Sequence, residues 1–518
     1  MSQKYLVGID IGTTGAKALV TDLEGRVLAS GYKEYGCTFP RANQVEQDVE
    51  MLTASSMETC RIALEQSGVD PADVAGISFS AQRCCTIFVD EAGTPLRPMI
   101  SWQDNRPTAE VEEIGTKISA DDFYDRTAMT LNTTWMIGKI LWVQRNEPEV
   151  WSRTAKIVQL HDYVLKAWGA GDFYDDPSDS GYYGLRNMAA RDWDDELLEI
   201  AGVSREQLPT VTPSSTRIGG ISAEAAAQSG LLEGTPLSIG AGDQNCAAVG
   251  AGVVEPGTAL VSIGTAAAVA AFLDHSYLDP SRTNIVINHA IDGRWQLEGY
   301  QAAAGGVYRW FRDEVAAEER LEAEQLGCDV YSLLDKRIAE VPAGSGGVIT
   351  IPHFAGAATP RWNPDCRGYI CGLSFATDRK ALARSIVEGI TLAVRDMLDS
   401  MLACGTDVRT VRILGGPTRS EVWNQMQADI YGRPVDTLAV PDAAPLGAAI
   451  LAGVGAGVFT DIVDGAHRMV QTNRTYTPDP ETAAIYQKIF DIYQKTYESL
   501  EDGGALSAIA KFQAENNH

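Results

Sequence analysis

The strongest constraint on this chain is a triplet that occurs twice. Ile11-Gly12-Thr13 and Ile263-Gly264-Thr265 each lie between two runs rich in apolar residues. The first sits between Tyr5-Leu6-Val7-Gly8-Ile9 and Ala18-Leu19-Val20. The second sits between Thr258-Ala259-Leu260-Val261 and the apolar stretch from Ala267 to Phe272. Each reads as strand, tight turn, strand. Three residues repeated are weak, but the matching context half a chain apart predicts two related domains. In 518 residues there is room for two large units, 1–254 and 255–518, with a boundary near Val253-Val254-Glu255-Pro256-Gly257. A third strand at Arg26-Val27-Leu28-Ala29, a helix from about Val49 to Gln66 and a strand at Val74–Phe79 follow the first repeat. Strands and helices alternate from there, which predicts an α/β architecture.

The net charge of −27 lacks the basic stripes that neutralise nucleic-acid phosphates, so no nucleic-acid partner is expected. It also disfavours an anionic membrane surface. The apolar stretches Ala259–Leu273 and Ala443–Phe459 are shorter than the ~18–20 residues a bilayer needs, and both read as buried elements. The nine cysteines form no CxxC pair and the six histidines no HExxH. Reduced thiols in a cytoplasmic protein are the expectation, with no protein-bound transition metal.

Five segments could carry chemistry. Asp10-Ile11-Gly12-Thr13-Thr14-Gly15-Ala16-Lys17 could form an anion-binding nest of amides, hydroxyls and one cation, with Asp10 reaching Mg²⁺ through water. It could equally be a plain hairpin whose turn Asp10 and Thr13 cap. Ser262-Ile263-Gly264-Thr265 is an ordinary turn by itself, or the second half of a polyphosphate clamp. Gly240-Ala241-Gly242-Asp243-Gln244 puts a carboxylate at the end of a strand, where α/β proteins bind ligands, or else Asp243 only N-caps the next helix. Leu414-Gly415-Gly416-Pro417 offers a flat backbone surface for a purine, or a tight connection. Gln82-Arg83-Cys84 with Trp102-Gln103-Asp104 suits a polyhydroxylated ligand, or makes a surface ion network around an anchored Trp.

Taken together in chain order, the motifs resemble the FGGY carbohydrate kinases. The matching pieces are Gly8–Thr14, Glu46-Gln47-Asp48, Trp102-Gln103-Asp104, Gly240–Asp243 and Ser262–Thr265. Gly368–Leu373, Glu388-Gly389, Leu414-Gly415-Gly416, Ala428–Val435 and Leu446–Ala449 complete them. The resemblance implies an α/β fold of two actin-like, ribonuclease H-like ATPase domains with the active site in the cleft between them. It implies transfer of the ATP γ-phosphoryl group to a hydroxyl of a small sugar, a ketopentose such as xylulose, or a short polyol. Asp243 then matches the base, and Asp10, Gly12, Thr13, Thr14 and Lys17 the first phosphate segment. Gly264 and Thr265 match the second phosphate segment, and Gly415 and Gly416 the adenosine segment. Mg²⁺ falls to Asp10 and Asp243, and substrate contacts to Gln82, Arg83, Trp102, Asp104 and Gln244. A homodimer is an allowed assembly.

Several positions depart from any one branch of the family. Xylulokinases carry Gln-Met-His at Gln82-Arg83-Cys84 and Asp-Asn at Asp243-Gln244, so both sites look more like glycerol kinases. Glycerol kinases, however, have Glu where this chain has Cys84. The segments Arg309–Pro342 and Ala452–Phe459 look close to the autoinducer-two kinases. Pro417 replaces a third glycine, and Ala357-Ala358 a Glu-Arg pair. A glycerol-like kinase, an autoinducer-two kinase and a non-catalytic sugar or nucleotide sensor are the alternatives.

Overall fold

A computed structural model describes residues 4–516. The chain divides into two units. One comprises residues up to Glu255 together with Phe272–Gln296 and Asp442–Gln471; the other comprises Pro256–Ala271, Leu297–Pro441 and the segment from Thr472 onward.

The first unit is built on a sheet whose strands are β1 (Tyr5–Ile11), β2 (Gly15–Asp22), β3 (Val27–Glu34), β4 (Val74–Ala81), β5 (Arg217–Gly220), β6 (Pro236–Ser238) and the short β7 (Ala241–Gly242). The order is β5-β6-β4-β1-β2-β3, with β7 also on β4. β1, β2 and β3 form the antiparallel meander read from the sequence, and β4 joins β1 in parallel, pairing Asp10 with Ser80. Every residue of β4 is buried, as a strand covered on both faces requires. On β2 and β3 lies the helix Val49–Ser67, which Asp48 starts by accepting from the amides of Glu50 and Met51 and Gly68 ends at φ 66°. The helix Leu160–Trp168 brings Trp168 to 5.1 Å from the Phe79 ring.

The second unit uses β8 (Gly257–Ile263), β9 (Ala267–Leu273), β10 (Trp295–Gln301), β11 (Val408–Gly415), β12 (Val435–Leu438) and β13 (Thr472–Tyr476). Their order is β10-β9-β8-β11-β12-β13. β8 pairs antiparallel with β9 and parallel with β11, β11 runs parallel to β12, and β12 antiparallel to β13. These six strands follow the same path as β3-β2-β1-β4-β6-β5 of the first unit, so the repeated triplet marks a repeated sheet core.

A division at 254/255 would give the second half two segments that pack with the first unit. The helix Ala443–Gly455, the second apolar stretch of the sequence, lies against β1 and the helix Asp243–Gly250. The approach is too close for side chains. A Cβ on Gly8 would stand 1.9 Å from the Pro445 carbonyl oxygen, and one on Gly447 1.9 Å from that of Cys246. Only glycine permits such backbone contact.

Candidate active site

In the first unit the chemistry gathers at the carboxyl ends of β1, β4 and β7. The turn from Gly12 to Gly15 is closed by the Gly12 amide donating to the Gly15 carbonyl at 3.0 Å. Its outer wall is fixed by side chains. Tyr35 donates to the Gly12 carbonyl at 2.8 Å, and Gln47 to that of Thr13 at 2.9 Å. The Thr13 hydroxyl accepts from the Trp102 indole at 2.9 Å and donates to Gln82 Oε1 at 3.0 Å, while Gln82 Nε2 donates to Gln47 at 2.8 Å. Thr13, Gln82 and Trp102, assigned to two different ligands by sequence, therefore form one hydrogen-bonded group.

Asp10 is the penultimate residue of β1 and accepts from Ser80 Oγ at 2.6 Å. Burial pushes its carboxyl up to about 7. The Ser80 bond opposes this, the charges of Asp243 and Asp442 add to it, and Lys17 lowers it. Carboxylates crowded in this way favour a shared proton or a shared cation. Lys17 lies 2.7 Å from Asp442, both side chains about a third exposed, so its charge is already matched.

Asp243 is the first residue of the helix Asp243–Gly250, and Gly242 is the cap. The capping alternative therefore does not describe its side chain. The Asp243 carboxylate is 31% exposed and lies 3.0 Å from Arg83 Nε. The Arg83 guanidinium also donates to the Tyr182 hydroxyl and stands 4.3 Å over the Tyr182 ring. Gly242 makes room for this, since a Cβ there would meet Arg83 Cδ at 2.5 Å. The next residue, Cys84, has φ 60°, rare for a side chain other than Asn, Asp or Gly. Its amide donates to Gln159 and its carbonyl accepts from the buried Lys139, both at 2.8 Å, so the loop bearing Arg83 is held from behind. Gln244 is half-buried beside Asp243.

Asp104 is fully buried. It accepts from the Val45 amide at 2.6 Å and from Arg106 Nε at 2.9 Å and Nη2 at 2.7 Å, so both of its oxygens are engaged by the protein. Gln82 is 1% exposed and likewise spends its amide on Thr13 and Gln47. Tyr35, Tyr182 and Asp442 join the site without belonging to any of the five sequence segments. Their partners lie far away along the chain, and only Gln47, inside the Glu46-Gln47-Asp48 motif, carried a signal.

In the second unit the Gly264 amide donates to the Ala266 carbonyl at 2.8 Å. The Thr265 carbonyl accepts from the amides of Ala304 and Gly306 at 2.9 and 3.1 Å, at the start of the helix Gly305–Glu314. Gly305 is pressed so close that a Cβ would lie 2.3 Å from the Gly264 oxygen. Arg309 donates to Thr265 Oγ1 at 3.3 Å. A helix N-terminus and a guanidinium thus flank this turn, a setting that favours an anion. Gly415 pairs with Ile263 across β8 and β11, has φ 91° and leaves 2.2 Å between a Cβ and the Ile263 oxygen. Gly415 and Gly416 are exposed, and Pro417 is buried beneath them.

Two nucleotide-type sheets with glycine turns at the ends of their hub strands define a phosphotransferase of the actin-like ATPase class. The chain belongs to the FGGY family of carbohydrate kinases: the family's N-terminal domain matches residues 5–250 and its C-terminal domain residues 259–456. It is therefore an ATP-dependent carbohydrate kinase. It is 31% identical over 523 residues to the autoinducer-2 kinase of Escherichia coli K12, covering 98% of each chain. It is 29% identical over 499 residues to the xylulose kinase of Bacillus subtilis, covering 96% of this chain and 98% of the relative. The crystal structure of ligand-bound xylulose kinase from Lactobacillus acidophilus superposes with a TM-score of 0.88 at 26% identity, over 96% of this chain and 98% of that one. Among the described residues no helix is long and apolar enough to cross a membrane.

Proposed function

We propose that this kinase phosphorylates a hydroxyl of a small sugar, a ketopentose such as xylulose being the first choice and a short polyol the second. Asp243 is the general base. The observation that carries this reading is the Arg83–Asp243 pair: a partly exposed carboxylate at a helix start, oriented by a guanidinium that Tyr182 steadies. The acceptor oxygen bonds to the γ-phosphorus, the bond from that phosphorus to the β,γ-bridging oxygen breaks, and the acceptor proton passes to Asp243. Such transfer needs positioning and charge neutralisation more than covalent chemistry. Arg83, Trp102 and Gln244 are the acceptor contacts. Gln82 and Asp104 act one step back, holding Thr13 and Arg106.

Gly12, Thr13, Thr14 and Lys17 are the phosphate contacts of the first unit. Gly264 and Thr265 are those of the second, with Gly415 and Gly416 under the adenosine. The residues around Asp10 fit Mg²⁺: the charges of Asp243 and Asp442 act on the Asp10 carboxyl, and Lys17 opposes them. Asp10 and Asp243 would hold the ion, directly or through water. When bound, Mg²⁺ neutralises charge on the phosphates.

The test is ADP release by the purified protein against ketopentoses, tetritols, glycerol, hexuloses, an aldonate and the autoinducer-2 precursor, with and without chelator. Xylulose as the best acceptor, with activity lost in chelator and restored by Mg²⁺, is the expected result. Preference for the autoinducer precursor would move the chain to the autoinducer-two kinase reading, which the 31% identity to the E. coli enzyme favours. Full turnover in chelator would overturn the metal assignment.

A further inference from the structure

Behind the Arg83–Asp243 pair the first unit buries more charge than it pairs. His161 and Asp162 open the helix Leu160–Trp168, Asp175 ends the short strand Tyr174–Asp175, and Asp179 leads into the turn Ser180–Tyr183. All four are fully buried. Asp162 Oδ2 accepts from the Gln159 amide at 2.8 Å and from Tyr183 at 3.0 Å. Its Oδ1 has no hydrogen-bond partner, and neither do Asp175 Oδ2, both oxygens of Asp179 or either ring nitrogen of His161. His161 Nδ1 lies 3.8 Å from Asp162 Oδ1 and 3.9 Å from Asp175 Oδ1, too far for a hydrogen bond.

Six orphaned polar atoms in one dry place call for a cause, because buried polar groups are otherwise paired. The nearby cations act on these carboxyls through space, Arg83 on Asp179 and Arg186 on Asp175, but donate no hydrogen bond to the orphaned atoms. Arg186 donates to the Pro177 and Arg191 carbonyls and to Ser180 Oγ, and Arg83 is engaged by Asp243 and Tyr182. Asp176, the fourth aspartate, is satisfied by Ser178 and Ser214. Meanwhile one ligand atom each from His161, Asp175 and Asp179 lies within 4.8 Å of the others. Ligands about 2.1 Å from one ion stand up to about 4.2 Å apart, so small side-chain rotations close the set.

We propose that His161, Asp175 and Asp179 bind one divalent transition-metal ion of the Zn²⁺ or Mn²⁺ class. One imidazole nitrogen and two carboxylates suit these ions better than Mg²⁺ or Ca²⁺, which favour all-oxygen sets. Two carboxylates neutralise the ion's charge, and Asp162 Oδ1 is placed for a fourth position or for a water on the metal. The site differs from the Mg²⁺ position at Asp10 and uses none of its ligands. Its role is to pin a turn. The Asp179 carbonyl accepts from Gln159 Nε2 at 2.8 Å, Gln159 Oε1 holds the Cys84 amide, and the turn carries Tyr182 to Arg83. These ligands follow no recognised spacing, which is why no protein-bound transition metal is expected from the residues alone.

The test is elemental analysis of the purified protein after exhaustive dialysis against metal-free buffer. Near-stoichiometric Zn or Mn is expected in the wild type and in Asp10→Asn, with at least a tenfold loss in His161→Gln. If His161→Gln does not fold, anomalous diffraction from wild-type crystals decides: a peak between His161 and Asp179 supports the site, and peaks only elsewhere overturn it. Metal retained by His161→Gln and lost from Asp10→Asn overturns it too. So does a wild type with only traces of metal whose melting temperature does not rise on adding Zn²⁺ or Mn²⁺. In that case the cluster is held together by protons.

Discussion

The two units repeat one sheet and use its hub turn in opposite ways. In the first, the turn spans Gly12 to Gly15 and is ringed by carboxylates: Asp10, Asp243 and Asp442, with Lys17 already bound to Asp442. In the second, the turn is one residue shorter, Gly264 to Ala266, as the pairings of Ile11 with Ala16 and Ile263 with Ala267 require. Ser262 stands where Asp10 stood, and a helix N-terminus and Arg309 replace the acids. The same backbone thus presents an acidic setting once and an electropositive one once. A shared fold does not dictate a shared role; the few residues grafted on it do.

The largest expected break in this comparison is Asp243→Asn. Loss of general-base help is worth ~10²–10⁴-fold, so turnover should fall at least ~100-fold on that scale, with ATP affinity nearly kept. Turnover close to wild type would remove Asp243 from the chemistry. Arg83→Ala sharpens the same point: acceptor binding should weaken by about 1–3 kcal/mol, the cost of lost charged hydrogen bonds, while the KM for ATP stays level.

Each unit also buries a histidine that burial holds neutral, His289 in the first and His353 in the second, which predicts a response to acid. His289, in the first unit, donates from Nε2 to the Val253 carbonyl at 3.0 Å and accepts the Ile291 amide at Nδ1 at 3.0 Å. Burial lowers it to about 4. His353, in the second, accepts from Gln301 at Nδ1 at 2.7 Å and meets the Tyr493 hydroxyl with Nε2 at 3.3 Å. Burial, helped by Arg361, lowers it to about 3. The unfolded chain binds these protons near 6.5 and the folded chain does not. Their stabilisation is therefore complete above pH 6.5 and drains away as pH falls toward 4 and 3, by roughly 3–5 kcal/mol each. Urea unfolding at pH 7.5 and 4.5 checks this. Relative to wild type, His289→Gln and His353→Gln should each flatten that slope, and an unchanged slope would mean the imidazole is charged when folded.

Gly415→Ala tests the turns. Its Cβ would collide with the Ile263 oxygen at positive φ, costing ~1–3 kcal/mol as overpacking does. Ala81, its counterpart opposite Ile11, should accept glycine for about 0.5–1 kcal/mol. Equal losses in thermal unfolding would mean the two sheets end alike. The smallest effect is Asp442→Asn. An ion pair about a third exposed is worth under ~1 kcal/mol, so the melting temperature should barely move.

Much of this was legible in the residues, and the failures are local. The repeated triplet, β1 to β4, the helix after Asp48 and the β8–β9 pair follow from apolar periodicity and turn chemistry, which act over a few residues. Asp243 could be singled out because glycines flank it. Arg309 and the Gly305-Gly306 approach to Thr265 could not, since they depend on where a distant helix starts. Asp104 and Gln82 read as ligand contacts because their residue types suit sugars. Their neighbours Arg106, Gln47 and Thr13 take up that hydrogen-bonding capacity inside the protein. Which half of the chain a segment joins was equally hidden, because helix Ala443–Gly455 is placed by glycines on both sides of the contact, one of them Gly8 at the far end of the sequence.

That last contact bears on synthesis. The polypeptide leaves the ribosome N-terminus first, and domains tend to fold as they emerge. Here β1 cannot receive its covering helix until residues 443–455 have been made, and Lys17 has no Asp442 until the same moment. The first unit to appear therefore waits, its Gly8 face bare, until the second has been made as far as Pro441, and the second in turn waits for its strand β13. A fragment ending at residue 254 would hold that waiting state permanently.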